Sequence, residues 1–289
     1  MNINILFDGL SLGAIYALIA LGYTMVYGIT KMLNFAHGDI IMVGAYAIYC
    51  IFSMTGNPFV SLAVSIIVCT VVGVIVEKIA YKPLRGASPL AVLITAIGVS
   101  YFLQGLAQLI FSSTPQSVPL TMGTVDIGDI KINKGTIVTL VVGGALMVAL
   151  TLFVKKTRTG RAMLAVSEDR DAAQLMGVNV NRIIMITFAI GSALAAFASL
   201  FNFLSVPTNV VPTFGAMPGI KAFAAAVIGG IGSIPGAMLG GILLGMVEQI
   251  CKSIPAIQSY TTAIEFGLLI VILLFRPIGL LGKKRREKV

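Results

Sequence analysis

The sequence predicts an all-α, polytopic transmembrane helix bundle, and three observations predict it. Of its 289 residues, 57% are hydrophobic and only 11% are charged, whereas soluble domains run at about 45–50% apolar and about 25% charged. Mean hydropathy is +1.00. Apolar stretches of about 20 residues recur, the length at which a helix crosses about 30 Å of hydrocarbon. They are continuously apolar rather than alternating, which favours helices over a membrane barrel. The expectation is a single transmembrane domain over 1–289 with about eight spans, including a hinged or re-entrant helical segment at 220–250.

The elements follow in order. Ile5 to Tyr27 is the first span, with Gly9 and Gly13 four apart, a spacing that lets helices approach closely. The N-terminus lacks the basic region of a signal peptide, so this span is expected to stay uncleaved. A polar stretch, Lys31 to Asp39, leads to a short apolar run ending near Ser53, and Asn57-Pro58 opens the next span, to about Ile79. Pro89 to Phe111 crosses again. Ser112 to Lys134, with Pro115, Pro119, Asp126 and Asp129, reads as an exposed loop, and Thr136 to Val154 is another span. Ile183 to Val206 follows a long basic stretch. Beyond a loop containing Pro207, Pro212 and Pro218, Ile220 to Ile250 is apolar but broken by GGIGSIPG at Gly229 to Gly236. Tyr260 to Phe275 is the last span.

The net charge of +9 could suggest nucleic acid, but the basic residues flank apolar segments, as positive-inside topology requires. The loop at Lys78 to Arg85, the loop at 155–182 and the tail at 283–289 are the three basic clusters, expected in the cytoplasm. Three spans precede the first cluster, so the N-terminus is expected outside. An even number of crossings must separate the second cluster from the tail. Segment 220–250 must therefore enter and leave on the outer side, as two helices or as a re-entrant hairpin. Cys50, Cys69 and Cys251 have no metal spacing and read as small buried hydrophobes.

No HExxH or phosphate-binding P-loop occurs, no GxSxG presents a serine nucleophile, and His37 is the one histidine, so a chain performing its own covalent chemistry is disfavoured. Two broken-helix regions are the candidates for a polar solute path. In the first, Asn34, His37, Gly38 and Asp39 precede a short apolar run. Gly38 could interrupt a helix and Asp39 could cap the next. Ionisable groups at depth usually face a bundle interior or a pathway, while an interfacial turn with a solvated Asp39 is the alternative. In the second, Gly232, Ser233, Pro235 and Gly236 lie in a run where Gly232, Gly236 and Gly240 are spaced by four. Discontinuous helices line polar paths in transporters, and a glycine zipper for tight packing is the competing reading. Glu248 and Glu265 are expected to pair or to reach the interface.

Within 155–182 the sequence predicts a short cytoplasmic helix. Ser167 is the expected N-cap, and Glu168, Asp169 and Asp171 put negative charge in the first turn beside Arg170. Ala172, Ala173, Leu175 and Met176 continue the helix, and Gly177 stops it. The small apolar face of Ala172, Leu175 and Met176 suits a groove on a partner protein, or alternatively the membrane surface.

Three segments carry a family likeness. GITKMLNFAHGDIIMVGAYA (Gly28 to Ala47), GRAMLAVSEDRDAAQLMGVNVNRI (Gly160 to Ile183) and GGIGSIPGAMLGGILLGMVE (Gly229 to Glu248) occur in this order. The chain resembles the permease subunits of branched-chain amino-acid ABC importers, the shorter of the two permease types. The likeness covers nearly the whole chain. The second segment is similar to the family's coupling loop, although Glu168-Asp169-Arg170-Asp171-Ala172-Ala173 departs from its Glu-Ala-Ala-like form. The resemblance implies a bacterial inner-membrane complex that also contains a second permease subunit, two ATP-binding subunits and a periplasmic amino-acid-binding protein. It implies no cofactor on this chain, with ATP hydrolysed by the partner subunits, and uptake of leucine, isoleucine and valine by alternating access. A urea or short-amide permease is the nearest alternative. An ion-coupled secondary transporter and a membrane enzyme are more distant ones.

Overall fold

The structure, a computed structural model, describes residues 3–120, 122–127, 130–205 and 208–282. Pro207, Asp129 and the basic tail at 283–289 lie outside the described residues, as does the side chain of Asp126. The helices are α1 (Ile3–Thr30), α2 (His37–Thr55), α3 (Pro58–Val76, continued by a π-helical turn to Tyr81), α4 (Pro89–Phe111), α5 (Lys134–Lys156), α6 (Arg158–Glu168), α7 (Arg170–Leu175), α8 (Val180–Ser205), α9 (Ala216–Gly229), α10 (Ile234–Ser253) and α11 (Thr261–Phe275). Eight of the helical segments are long and apolar enough to cross a bilayer, and α9 is shorter. The chain is a multi-pass membrane protein.

Helix starts follow local chemistry. The Asn57 side chain accepts from the amides of Phe59 (2.9 Å) and Val60 (3.4 Å), with Pro58 in the first turn. Ser88 caps α4, Asn133 caps α5 and Ser233 caps α10 in the same manner. Each cap satisfies amides that a helix start leaves unpaired, which matters most where no water reaches. The polar segment after α4 takes part in two small antiparallel pairings, one internal and one with the chain after α8. β1 (Gln116–Ser117) pairs with β4 (Asn209–Val210), and β2 (Thr124–Ile127) pairs with β3 (Ile130–Asn133).

Helix α1 is buried on nearly every face from Gly9 to Thr30 and forms the centre of the bundle. Its neighbours α8, α9 and α10 come close because small residues face it. A Cβ on Gly13 would stand 2.7 Å from the Ile242 Cα, and one on Gly9 would stand 2.9 Å from the Met246 Sδ. The close approach expected from the Gly9–Gly13 spacing is therefore made, against α10. Hydroxyls tie the remaining helices together. Ser199 Oγ donates to the Ile41 carbonyl (2.7 Å) and Ser65 Oγ to the Gly44 carbonyl (3.1 Å). The outer helices α3, α4 and α11 turn Phe59, Ile67, Leu109, Ile110, Leu274 and Phe275 outward, as a lipid-facing surface requires.

The two ends of the bundle differ. One, called here the basic end, gathers Lys82, Arg85, Lys155, Lys156, Arg158, Arg161, Arg170 and Arg182 around the C-terminal end of α1; the other gathers the strands. The α9–α10 hinge reaches the basic end. Gly232 stands against Gly28 near the end of α1, and the Leu280 and Leu281 amides donate to the carbonyls of Ile228 (2.8 Å) and Gly229 (2.9 Å). Segment 220–250 is thus two helices with a hinge at full depth, not a shallow re-entrant hairpin, and the even crossing count is kept.

The other break is also deep. After α1 ends, Lys31 takes a positive φ of 56° and residues 32–36 run back alongside α1. His37 then packs on Gly22, eight residues before Thr30, which is about 12 Å inside the end of α1 at 1.5 Å per residue. Helix α2 starts there, within the bundle. Ala36 occupies its cap position without a side-chain bond. Gly38 and Asp39 belong to its first turn, so Gly38 does not interrupt a helix and Asp39 is not the cap.

Candidate functional site

A cleft of about 360 Å³ opens where the first turn of α2, the first turn of α9 and the middle of α4 converge. Its floor is backbone. A Cβ on Gly38 would stand 2.7 Å from the Gly215 carbonyl oxygen, and one on Gly219 would stand 2.8 Å from the Gly38 Cα. Only glycines let these two helix starts touch. Its walls are largely apolar, from Phe35, Ile97, Tyr101 and Ile220. The carboxylate among its described lining residues is Asp39, with 2% of its surface exposed. Gln104 Nε2 on α4 donates to Asp39 Oδ1 at 2.8 Å and also lies 3.2 Å from Ser100 Oγ.

The structure divides the first group of expected path residues. Gly38 and Asp39 line the cleft, whereas Asn34 and His37 do not. Asn34 Oδ1 accepts from the Tyr81 hydroxyl at 2.7 Å, which fastens the returning segment to the end of α3. His37 is buried against Gly22 and Gly191, with its ring edge-on to Tyr23 at 4.8 Å. Both residues act as anchors for the corner.

The second group lies elsewhere. Gly232, Ser233, Pro235 and Gly236 form the hinge at the basic end, far along α9 from Asp39. Ser233 caps α10 by accepting from the Gly236 amide at 3.2 Å, and Pro235 occupies its first turn. A Cβ on Gly236 would stand 2.9 Å from the Gly229 carbonyl carbon. Gly232 and Ile234 border a crevice of only about 50 Å³. The glycine spacing here serves tight packing of α9 on α10, so these four residues are not part of the cleft.

The expected short helix is present with its start moved. Ser167 and Glu168 end α6, and Ser167 Oγ donates to the Leu164 carbonyl at 2.7 Å instead of capping. Asp169 is the cap of α7, its carboxylate accepting from the amides of Asp171 and Ala172, both at 3.0 Å. Ser167 is still within α6, so the cap position of α7 falls to Asp169, which also brings charge to the helix start. Gly177, with φ of 84°, ends the helix as expected. Ala173 turns inward, while Ala172 is exposed, and Leu175 and Met176 are 89% and 85% exposed. Arg170 reaches back to the end of α1 and donates to the carbonyls of Ile29 (3.0 Å) and Thr30. Burial, and then the neighbouring Arg85 charge, draws its pKa below the usual arginine value.

Two features escaped sequence reasoning. Gln104 and Ser100 are four apart on one face of an apolar helix, a spacing that places them side by side and could have marked α4 as a cleft wall. Lys221, alone in an apolar run, was a second signal. Its Nζ lies 2.9 Å from Glu248 Oε2 and 3.1 Å from Glu265 Oε2. Tyr16 donates to Glu248 at 2.6 Å and Lys252 pairs with it at 2.7 Å. Glu248 and Glu265 therefore pair, and the network ties α1, α9, α10 and α11 together.

The sequence profile of the family described as branched-chain amino acid transport system / permease component matches residues 5–273. The chain is 45% identical to the high-affinity branched-chain amino acid transport system permease protein BraD of Pseudomonas aeruginosa, over 98% of this chain and 97% of that protein. It is 42% identical to the corresponding permease protein LivH of Salmonella typhimurium, over 98% and 96%. Among solved structures, PsaBC from Streptococcus pneumoniae in complex with Fab is similar in fold at a TM-score of 0.50 and 14% identity, covering 92% of this chain and 90% of that one. With a match across both helix breaks, the basic loop and nearly every span, this chain belongs to the permease component family of branched-chain amino acid transport systems.

Proposed function

We propose that this chain is one permease subunit of an ATP-powered importer that carries leucine, isoleucine and valine across the bacterial inner membrane. The observation that carries the proposal is the likeness, along 98% of the chain, to permease proteins named for branched-chain amino acid transport. The basic end faces the cytoplasm under the positive-inside rule, with the N-terminus outside. A second permease subunit, two ATP-binding subunits and a periplasmic binding protein complete the machine. This chain binds no cofactor of its own.

The geometry supports a division of labour. Helix α7 projects from the basic end with Leu175 and Met176 uncovered, a small apolar knob that fits a groove on an ATP-binding subunit. Arg170 fixes that helix to the last carbonyls of α1. The chain leaving α1 leads within a few residues to the first turn of α2 and to Asp39. Movement of α7 when the ATP-binding subunits close is thereby passed to the wall of the cleft, through which the solute crosses.

The test is uptake by proteoliposomes containing the full set of subunits with ATP enclosed on the cytoplasmic side. Leucine, isoleucine and valine are expected to enter with ATP and with ion gradients dissipated, and urea is not. Leu175→Glu combined with Met176→Glu is expected to lower leucine uptake at least ten-fold and to weaken co-purification of the ATP-binding subunits. Uptake driven by an ion gradient without ATP would refute the proposal, and full uptake by the double variant would remove the docking role of α7.

A further inference from the structure

The cleft at the α1–α2 corner combines an apolar lining with one carboxylate. As the first-turn acid of α2, Asp39 gains a modest stabilisation from the helix dipole. Placing a carboxylate within a span costs more than that. A neutral side chain could accept from Gln104 equally well, so helix stabilisation does not account for a charge here. Among the described residues lining the cleft none is cationic, and the side chains that hydrogen-bond Asp39, those of Gln104 and Ser100, are both neutral. A carboxylate accepts at about four lone-pair positions, which leaves room for a further donor. The volume, about 360 Å³, falls in the lower part of the range for small-molecule sites, about 300–1,000 Å³.

From this arrangement we infer that Asp39 is the subsite for the α-ammonium group of the passing amino acid, with the branched side chain lying among Phe35, Ile97, Tyr101 and Ile220. This inference rests on the transport function proposed above. The solute brings the cation that the cleft lacks, and its apolar side chain meets apolar walls. Gln104 holds the carboxylate in position when the cleft is empty and joins α4 to α2 across the opening. The subsite would make this subunit a second point of selection, after the binding protein, for small solutes bearing a primary ammonium and an apolar body.

The experiment compares Asp39→Asn with Asp39→Glu in the reconstituted complex, measuring labelled leucine uptake with saturating binding protein and ATP. Stoichiometry of the co-purified subunits reports assembly separately. The Asn variant, which keeps shape and hydrogen bonding but loses charge, is expected to take up leucine at least ten-fold more slowly. The Glu variant is expected to retain at least a third of the wild-type rate. Uptake within two-fold of wild type by the Asn variant overturns the inference. Equal loss in both variants, with assembly intact, also overturns it, because shape rather than charge would then matter. If the unaltered complex takes up no leucine, it is the transport function that fails.

Discussion

The corner between α1 and α2 and the hinge between α9 and α10 are both places where apolar helix is broken inside the bundle, and they are filled in opposite ways. At the hinge, glycine backbone lies on glycine backbone: Gly229 meets Gly236 and Gly240 meets Ala225. Little space is left, and Ser233 and Pro235 serve only to start α10. At the corner, glycines also bring two helix starts together, Gly38 against Gly215 and Gly219. There, however, α4 stands off and leaves a cleft with a carboxylate on its wall. A broken helix in a membrane bundle does not therefore by itself leave a cleft. What separates the two is the distance of the third wall and the presence of an ionisable side chain that no local packing requires.

The largest effect expected from this contrast is at the hinge. Gly236→Val would drive side-chain atoms into the Gly229 backbone, where little can shift, and should destabilise the protein by about 3 kcal/mol or more. The measurement is the fraction recovered as a monodisperse, trypsin-resistant complex after detergent extraction, expected to fall below a tenth of wild type. Ready recovery with impaired uptake would instead assign the hinge to the path. The smaller effect is within the corner. Asn34→Ala leaves the Tyr81 hydroxyl without its acceptor, a loss of about 1–2 kcal/mol. It should lower thermal stability while leaving the half-saturating leucine concentration within two-fold. A large change in that concentration would make Asn34 a solute contact and not an anchor.

The extent to which the sequence foretold the molecule follows the range of the forces involved. Spans, the start at Asn57-Pro58 and the stop at Gly177 depend on neighbours within a few residues, and all were legible. The positive-inside count required segment 220–250 to enter and leave on the outer side but could not set the hinge depth, which depends on contacts between Gly232 and Gly28 and between Leu280 and Ile228. The first-turn acids of α7 were recognised, yet Ser167 and Asp169 compete for the same role. The winner is decided by how far α6 runs on before the chain turns, which tertiary packing of Val166 and Met163 sets. Asn34, His37 and Asp39 look alike in the sequence as polar residues beside a break. Only their partners, Tyr81, Gly22 and Gln104, distinguish anchors from a cleft wall.

The central claim, that the corner carries solute and the hinge does not, can be tested by cysteine labelling in the assembled complex. With Cys50, Cys69 and Cys251 replaced by serine or alanine, Ser100→Cys places a thiol on the cleft wall and Ala237→Cys places one in the buried α9–α10 contact. A cationic methanethiosulfonate reagent is added on both faces of the membrane. The account predicts that the Ser100→Cys thiol is modified, that saturating leucine slows its modification, and that the Ala237→Cys thiol stays unmodified. An unreactive thiol at position 100, or one at 237 that reacts as fast and is protected by leucine, would contradict it.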